Sequence, residues 1–313
     1  MSSAEGGAAP PLAIVGTTAS GKSALAMAVA RARPGVELVS VDSMQVYRGM
    51  DIGTAKATPA ERAEVPHHGL DLVDPWDEFT VAEFQAAILA AIDDVEARGA
   101  RHLLVGGTGL YLRAVIDGLE MAGRFPDVVA ELEAEPDTTA LHRRLAELDP
   151  LAATRMEPGN RRRVLRALEV TIGSGRPFSS YGPGLENYGP TRFRLVGIRR
   201  PRPVIDERIV QRYQAQLADG FVDEVCTLFA HPNGVSRSAG QALGYKEIAE
   251  HLEGRMTLDE ALELAIARTR RFARRQDRWF RRDPRIEWLD VGDGGAADPS
   301  EHADEVLRIW DRA

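Results

Sequence analysis

The sequence has little cysteine and no long apolar run. Its single cysteine, Cys226, excludes an internal disulfide and a zinc site built on several cysteines, and it fits a reducing compartment. We expect this side chain to be buried as a small apolar group. No stretch approaches the roughly 18 apolar residues of a membrane span. Residues Met1–Pro10 lack the basic and apolar regions of a secretory signal, so we expect a cytoplasmic protein that does not enter a membrane.

The composition is otherwise ordinary for a globular protein. The 313 residues are 44% hydrophobic and 27% charged, enough for about two domains with a substantial core. The net charge of −8 disfavours a nucleic-acid partner, but nine arginines lie between Arg268 and Arg285 against only two acidic residues. A basic face on an acidic protein is compatible with nucleic-acid binding.

Alternating strand and helix patterns predict the fold class. Apolar runs suited to buried strands lie at 12–16, 36–41, 103–107, 193–198 and 285–289. Helical patterns separate them, which predicts an α/β fold with a parallel sheet. The clearest helix begins after Thr80, which forms a capping box with Glu83, and its apolar stripe comprises Val81, Phe84, Ile88, Ile92 and Val95.

The middle of the chain has a different texture. Strand patterns disappear between about Pro126 and Pro190, and prolines separate short charged helical stretches. We therefore predict a P-loop core in two parts, residues 1–122 and 191–313, with a helical insertion at 123–190. The second part of the core is expected to be mostly helical.

One segment carries a specific chemical pattern, G-x-x-x-x-G-K-S, between the first strand and a helix. Its residues are Gly16, Thr17, Thr18, Ala19, Ser20, Gly21, Lys22 and Ser23. The glycines let several backbone N–H groups face one anion at a helix N-terminus. Lys22 would neutralise phosphate oxygens and the Ser23 hydroxyl would ligate Mg²⁺. The sequence therefore predicts a P-loop NTPase-like core that binds a diphosphate or triphosphate, as nucleotides such as ATP present it.

Two polar residues follow neighbouring strands. Asp42 comes directly after the second strand and Thr108 follows the strand near residue 105. Strand ends in an open α/β sheet face the ligand crevice, so both side chains should face the group that Lys22 holds. The alternative for Asp42 is an Asx turn, which its local sequence would equally favour.

Several segments together resemble the tRNA dimethylallyltransferase (tRNA isopentenyltransferase) family. They follow the family's order and cover nearly the whole chain. The 42–56 stretch, DSMQVYRGMDIGTAK, is very specific, whereas the P-loop alone is not. The matching segments are 16–23, 42–56, 65–68, 104–111, 166–170, 242–247, 270–276 and 279–281.

The resemblance implies transfer of a dimethylallyl group from dimethylallyl diphosphate to N6 of the adenosine just 3′ of a tRNA anticodon. Asp42 would accept the N6 proton or hold the amine in line, with Thr108 orienting it by a hydrogen bond. Lys22, the loop N–H groups and Mg²⁺ on Ser23 would stabilise the departing diphosphate. We expect the enzyme to act as a monomer.

The same resemblance, with the arginine pattern, gives the residues expected to hold the anticodon loop of tRNA. Arg271 and Arg275 belong to a stripe at helical spacing, and Arg162 and Arg166 share a face of a second helix. Gln45 and Gln241 could face base edges, although a plain surface amide suits either glutamine. The complete expected set is Asp42, Ser43, Met44, Gln45, Thr108, Arg162, Arg163, Arg166, Gln241, Arg271 and Arg275.

The chain departs from the family pattern at two positions. Thr17 stands where the family usually has proline, and Val129 stands where relatives often carry arginine. We therefore carry over no RNA contact at Val129. His67 and His68 invite a metal site, but no third ligand is evident, and a hydrogen-bonded structural pair is the preferred interpretation.

Two other functions compete with the transferase. A P-loop kinase for a small metabolite would use Asp42 to bind a hydroxyl, but it explains neither the arginine helices nor the 42–56 match. A non-catalytic RNA-binding NTPase module would explain the arginines without needing Asp42 for chemistry.

Overall fold

A parallel sheet forms the centre of the computed structural model, which describes residues 10–292 and 299–312. Among these residues the strand order is β3-β2-β4-β1-β5-β6, and every neighbouring pair is parallel. This confirms the predicted α/β class. The strands are β1 (Leu12–Gly16), β2 (Val36–Val41), β3 (His67–His68), β4 (Arg101–Gly106), β5 (Arg194–Arg199) and β6 (Ile286–Asp290).

Helices connect the strands and extend the chain beyond the sheet. Within the described ranges the helices are α1 (Lys22–Ala32), α2 (Pro59–Glu64), α3 (Val81–Ala97), α4 (Gly109–Ile116), α5 (Pro126–Glu133), α6 (Thr138–Leu148), α7 (Pro150–Thr154), α8 (Arg161–Ser174), α9 (Arg202–Ala218), α10 (Phe221–Phe229), α11 (Tyr245–Leu252), α12 (Leu258–Phe280) and α13 (Pro299–Asp311). Short 3₁₀ turns occur at Phe178–Tyr181 and Ala239–Gln241.

Capping boxes begin two of the longest helices. The Thr80 side chain accepts a hydrogen bond from the Glu83 N–H at the start of α3, as predicted. Thr257 and Glu260 make the same arrangement at the start of α12. Of the predicted stripe of α3, Phe84, Ile88, Ile92 and Val95 are buried, whereas Val81 in the first turn is only half-buried. Local signals therefore fix where these helices begin and which side faces the core.

The strand register brings three loops to the same edge of the sheet. Gly106 in β4 lies opposite both Val15 in β1 and Val41 in β2. The residues that follow these strands therefore leave the sheet side by side. This edge carries the P-loop, Asp42 and Thr108.

The described chain divides into two compact units. One unit comprises residues 1–116 and 190–313, and its sheet is covered on both faces by apolar side chains. The other comprises residues 117–189 and contains α5 to α8. This smaller unit has its own core, formed by Leu132, Leu141, Leu145, Ala152, Ala153, Val164, Ala167 and Leu168.

The prediction for the cysteine is wrong. Cys226 is exposed on α10. The residues that α10 buries are Phe221 and Val225, one turn apart, and Cys226 is the next residue after Val225, off that stripe. No helix within the described ranges is long and apolar enough to cross a membrane.

Candidate active site

The P-loop folds as the sequence predicts, around the N-terminus of α1. Gly21, the residue before the helix, has φ of 95°, a conformation that glycine adopts without strain. Gly16 approaches its surroundings closely, since a Cβ there would lie 2.9 Å from Ser20 Oγ and 3.2 Å from the Ile198 carbonyl oxygen. Both glycines are therefore required by the path of the loop.

A cavity of about 500 Å³ opens beside this loop. Its lining comes entirely from residues of the larger unit. Lys22, Ser23, Asp42 and Thr108 all contribute to its wall, and so do Gln241 and Arg275. The structure thus brings together the residues predicted to be catalytic with Gln241 and Arg275, which were predicted only to bind RNA.

Lys22 is the P-loop lysine of the cavity wall, to which Lys56 also contributes. Burial lowers the pKa of Lys22 to about 8, and the opposing effect of nearby Asp42 does not overcome it. Its Nζ lies 3.4 Å from the Thr17 carbonyl oxygen. An anion that enters the cavity would favour the charged form of this lysine.

Asp42 forms the Asx turn and also faces the cavity, so the two interpretations of this residue are not exclusive. Its Oδ1 accepts hydrogen bonds from Met44 N at 2.8 Å and Gln45 N at 3.4 Å. The carboxylate interacts electrostatically with both Lys22 and Arg212. The turn therefore fixes the carboxylate in the positive part of the cavity.

Thr108 connects the ends of β4 and β2. Its Oγ1 accepts from the Ser43 N–H at 3.4 Å. The residue that follows Asp42 is thereby held against the loop after β4. Asp42, Ser43, Met44 and Thr108 all lie along the same wall of the cavity.

Three arginines that the sequence analysis missed contact the P-loop. Arg200 and Arg208 donate to the carbonyl oxygens of Ser20 (2.8 Å) and Ala19 (2.9 Å). Arg212 donates to Thr18 Oγ1 at 3.0 Å, and burial lowers its pKa. The i, i+4 spacing of Arg208 and Arg212 in the sequence indicates that they share a face of α9. No local sequence pattern, however, indicates that this face contacts the P-loop.

Gln276 was also missed as a site residue. It is buried, and its amide bonds to both loops of the cavity edge, at Thr18 and Gly107. One turn later Trp279 covers Gly109, where a Cβ would lie 2.1 Å from the indole Nε1. The inner face of α12 therefore supports the loops on which the candidate catalytic residues lie.

The distinctive 42–56 stretch is held by charged groups from two directions. Glu224 accepts from the N–H groups of Asp51, Ile52 and Gly53 at 2.9, 2.7 and 3.1 Å. Lys56 is 7% exposed and pairs with both Asp51 and Asp71. Many polar contacts therefore hold the 42–56 stretch in its conformation.

The two glutamines proposed to face bases differ in the structure. Gln45 uses its whole amide inside the protein: Oε1 accepts from Ser40 Oγ, and Nε2 donates to the carbonyls of Thr54 and Ala55. This side chain holds the 42–56 loop instead of presenting an open amide. Gln241 is exposed at the cavity wall.

The arginine stripe of α12 comprises Arg268, Arg271, Arg275, Arg278 and Arg282, and all of these except Arg268 are exposed. Arg271, Arg275 and Arg278 are exposed, and Arg282 is exposed just beyond the helix end. Arg268 instead pairs with the buried carboxylate of Glu247. The outer face of α12 therefore carries a strip of positive charge.

In the smaller unit the predicted arginines have unequal environments. Arg162 and Arg163 are exposed in the first turn of α8. Arg166 donates to the carbonyls of Ala122 and Gly123 and pairs with Glu169 at 2.8 Å. Its guanidinium therefore holds the chain within this unit, and its contact with RNA stays a prediction.

The histidine pair has the structural role that was preferred. His68 Nε2 lies 2.6 Å from Glu37 Oε2, and His67 Nδ1 lies 2.7 Å from the Val65 carbonyl oxygen. Within residues 10–292 and 299–312, no three or more histidine, cysteine, aspartate or glutamate side chains group as metal ligands.

Comparison with known proteins gives the same family along the chain. The family model described as IPP transferase matches residues 45–283, and the one described as Isopentenyl transferase matches residues 12–68. A protein of Kineococcus radiotolerans named tRNA dimethylallyltransferase is 49% identical, covering 96% of each chain. One of Streptomyces coelicolor with the same name is 47% identical, covering 97% of this chain and 98% of its own.

Solved structures agree with the sequence relatives. The tRNA isopentenylpyrophosphate transferase of Bacillus halodurans is 37% identical with a TM-score of 0.69, covering 97% of each chain. A eukaryotic dimethylallyltransferase captured acting on tRNA is 26% identical with a TM-score of 0.79, covering 97% of this chain and 79% of its own. On this agreement of sequence and fold, the chain belongs to the IPP transferase family.

Proposed function

We propose that this protein transfers a dimethylallyl group from dimethylallyl diphosphate to N6 of the adenosine 3′-adjacent to the anticodon in tRNA. It is a prenyl-transferring enzyme of the tRNA dimethylallyltransferase class, as its family membership gives. The observation that carries the proposal is the placing of the Asp42 carboxylate beside the P-loop lysine, Lys22, in one cavity. A diphosphate and an acceptor amine can meet there.

The donor end of the cavity suits a diphosphate. P-loop N–H groups and the N-terminus of α1 favour an anion, and Lys22 supplies a localised charge. Arg212 adds a second cation beside Thr18. These groups would stabilise the negative charge that builds on the diphosphate as its bond to the allylic carbon breaks.

The acceptor end suits an amine that must lose a proton. N6 of adenine attacks the allylic C1, the C1–O bond breaks, and the electron pair leaves with the diphosphate. Asp42 takes the N6 proton, and its Asx turn holds the carboxylate in place for that step. Thr108, within hydrogen-bond reach of Ser43, orients the amine.

Mg²⁺ is proposed to bind with the donor. Ser23 is exposed in the first turn of α1 and lines the cavity, so its hydroxyl is available as a ligand. Mg²⁺ commonly takes one or two protein oxygens together with phosphate oxygens and water, which fits this sparse donor set. The ion supplies charge neutralisation to the leaving diphosphate.

The RNA is proposed to bind through exposed arginines. Arg271 and Arg275 on α12, and Arg162 and Arg163 on α8, offer phosphate contacts within their respective units. Gln241 is exposed and lines the cavity, which supports a contact with an extruded base. We propose that the reaction takes place in the cytoplasm and that the protein acts as a monomer.

The kinase alternative lacks support. The relatives named above are tRNA dimethylallyltransferases, and the structures named above are tRNA-modifying transferases. The defining experiment incubates the protein with tRNA and dimethylallyl diphosphate without ATP and analyses the nucleosides by mass spectrometry. We expect N6-dimethylallyladenosine to form; ATP consumption with a small alcohol instead would establish the kinase.

Asp42→Asn tests the proposed proton acceptor. Loss of the base is expected to lower kcat by at least about 100-fold, with tRNA affinity within threefold of the wild type. Asp74→Asn is the matched control, because Asp74 pairs with Arg48 outside the cavity. An Asp42→Asn enzyme that turns over normally at saturating tRNA would remove Asp42 from the chemistry.

A further inference from the structure

Gln276 spans the two loops that meet at the candidate active site. Its Oε1 accepts from Thr18 N at 2.8 Å, and its Nε2 donates to the Gly107 carbonyl oxygen at 2.8 Å. Thr18 belongs to the P-loop, and Gly107 directly precedes Thr108. One side-chain amide thus joins the loop proposed to hold the donor to the loop proposed to orient the acceptor.

The surroundings leave this amide little freedom. Gln276 is 6% exposed. A Cβ at Gly107 would lie 2.7 Å from its Nε2 and 3.1 Å from the Gly16 carbonyl oxygen. The two loops therefore approach each other closely at glycines, and the glutamine fills the remaining contact between them.

We propose that Gln276 is a positioning residue that sets the spacing between the P-loop and Thr108 for the transfer reaction. This inference rests on the proposed function, because it concerns the alignment of the donor with the acceptor amine. Gln276 itself bonds only to backbone groups and acts through the two loops. In aligned bond-making, a misplacement of about 1 Å can cost about 100-fold in rate.

The chemistry of the site requires an amide at this position. A part-buried N–H of Thr18 and a buried carbonyl oxygen of Gly107 face the same side chain, so the side chain must both accept and donate. A carboxylate retains the acceptor for Thr18 N–H but places negative charge against the Gly107 carbonyl. An apolar side chain of equal length leaves both backbone groups unpaired.

Two substitutions at Gln276 separate these contacts. Gln276→Met removes both hydrogen bonds, and Gln276→Glu retains only the bond from Thr18. Gln85→Met is the control, since Gln85 Nε2 donates to the Ala114 carbonyl at 2.6 Å, and Gln85 is not part of the cavity wall. For each protein, kcat, KM for tRNA, pyrophosphate affinity and melting temperature are measured.

We expect Gln276→Met to lower kcat by 10- to 100-fold and pyrophosphate affinity severalfold, about the range set by misalignment. Its KM for tRNA should stay within threefold, because the arginines are untouched. Gln276→Glu should bind pyrophosphate nearly as the wild type does and still lose kcat. Gln85→Met should keep wild-type kcat at a temperature where it is fully folded.

Two results would overturn the role of Gln276. One is a folded Gln276→Met enzyme with kcat and pyrophosphate affinity within twofold of the wild type. The other is a loss of kcat in Gln276→Met and Gln85→Met that simply follows their melting temperatures. Failure of the proposed function gives a different result, because the wild type would then not modify tRNA. The pyrophosphate affinities of the variants would still show whether the hydrogen bonds of Gln276 to the two loops support anion binding.

Discussion

Lys22 has a lowered pKa and lies in a cavity that favours anions. Its pKa of about 8 arises because burial costs the charged form more than Asp42 returns. Below pH 8 the ammonium is present and anion binding is strong. Above pH 8 the free protein loses this charge, so the anion must bind together with a proton.

The affinity of the protein for pyrophosphate is therefore predicted to fall as pH rises above about 8. Isothermal titration calorimetry in buffers of different ionisation enthalpy should show proton uptake near that pH. The matched variant Lys22→Arg keeps its charge throughout, so its affinity should depend less on pH. Equal pH profiles for the two proteins would show that the ligand, not Lys22, titrates.

Long-range contacts explain which residues of the site could not be predicted from the sequence. The P-loop and Asp42 are recognisable because their chemistry depends on local spacing and on the ends of strands. Arg212 and Gln276 act on Thr18 from 194 and 258 residues away, and no local pattern encodes such contacts. Gln45 was assigned an outward role for the same reason, since its partners lie on a later part of its loop.

At the scale of the element, α12 has two chemically different faces. Its buried face carries Ala265, Thr269, Ala273 and Gln276, and its outer face carries the exposed arginines. The sequence predicted both the helix and the stripe. It did not predict that Arg268 would pair with Glu247, because that partner lies on α11.

Two arginines of this helix should therefore respond differently to substitution. Arg271→Gln is expected to weaken tRNA binding about fivefold and to reduce the slope of log affinity against log salt by about one. Arg268→Gln should instead lower the melting temperature, because it leaves Glu247 charged and buried without its partner. Filter binding at several salt concentrations, together with thermal melts, separates the two effects; identical behaviour of the variants would contradict this assignment.

The strand β3 illustrates the limit of prediction at this scale. It contains only His67 and His68, too short for an alternating or apolar pattern to be recognised. Its partner is β2, with Leu38 opposite His67 and Val39 opposite His68. Pairing with an existing strand, and not the propensity of two histidines, makes this segment a strand.

At the scale of the whole molecule, the loss of stability in acid depends on a buried carboxylate, that of Glu37 in β2. Glu37 accepts from Arg98 at 2.6 and 3.0 Å, and this contact lowers the pKa of Glu37 from 4.5 to about 2. A carboxyl with a lowered pKa stabilises the folded state above its ordinary pKa. That stabilisation is lost as pH falls through 4.5 towards 2.

Glu37→Gln is predicted to lower the free energy of unfolding at pH 7 by about 2 kcal/mol, and the difference from wild type should shrink below pH 4.5. Glu64→Gln is the control, because its pair with Arg31 is largely exposed and should contribute little. Urea unfolding at several pH values measures both. A difference that stays constant between pH 7 and pH 3 would contradict the ionic origin of the effect.

The way the smaller unit is joined to the rest has an evolutionary consequence. The larger unit ends its first part at Ile116 and resumes at Pro190, and the Thr191 hydroxyl donates to the Ile116 carbonyl at 2.9 Å. This hydrogen bond holds together the point where the chain leaves the larger unit and the point where it returns. An ancestral phosphate enzyme could have acquired a module at this point without rebuilding its reaction centre, and insertions of very different length could be exchanged there among descendants.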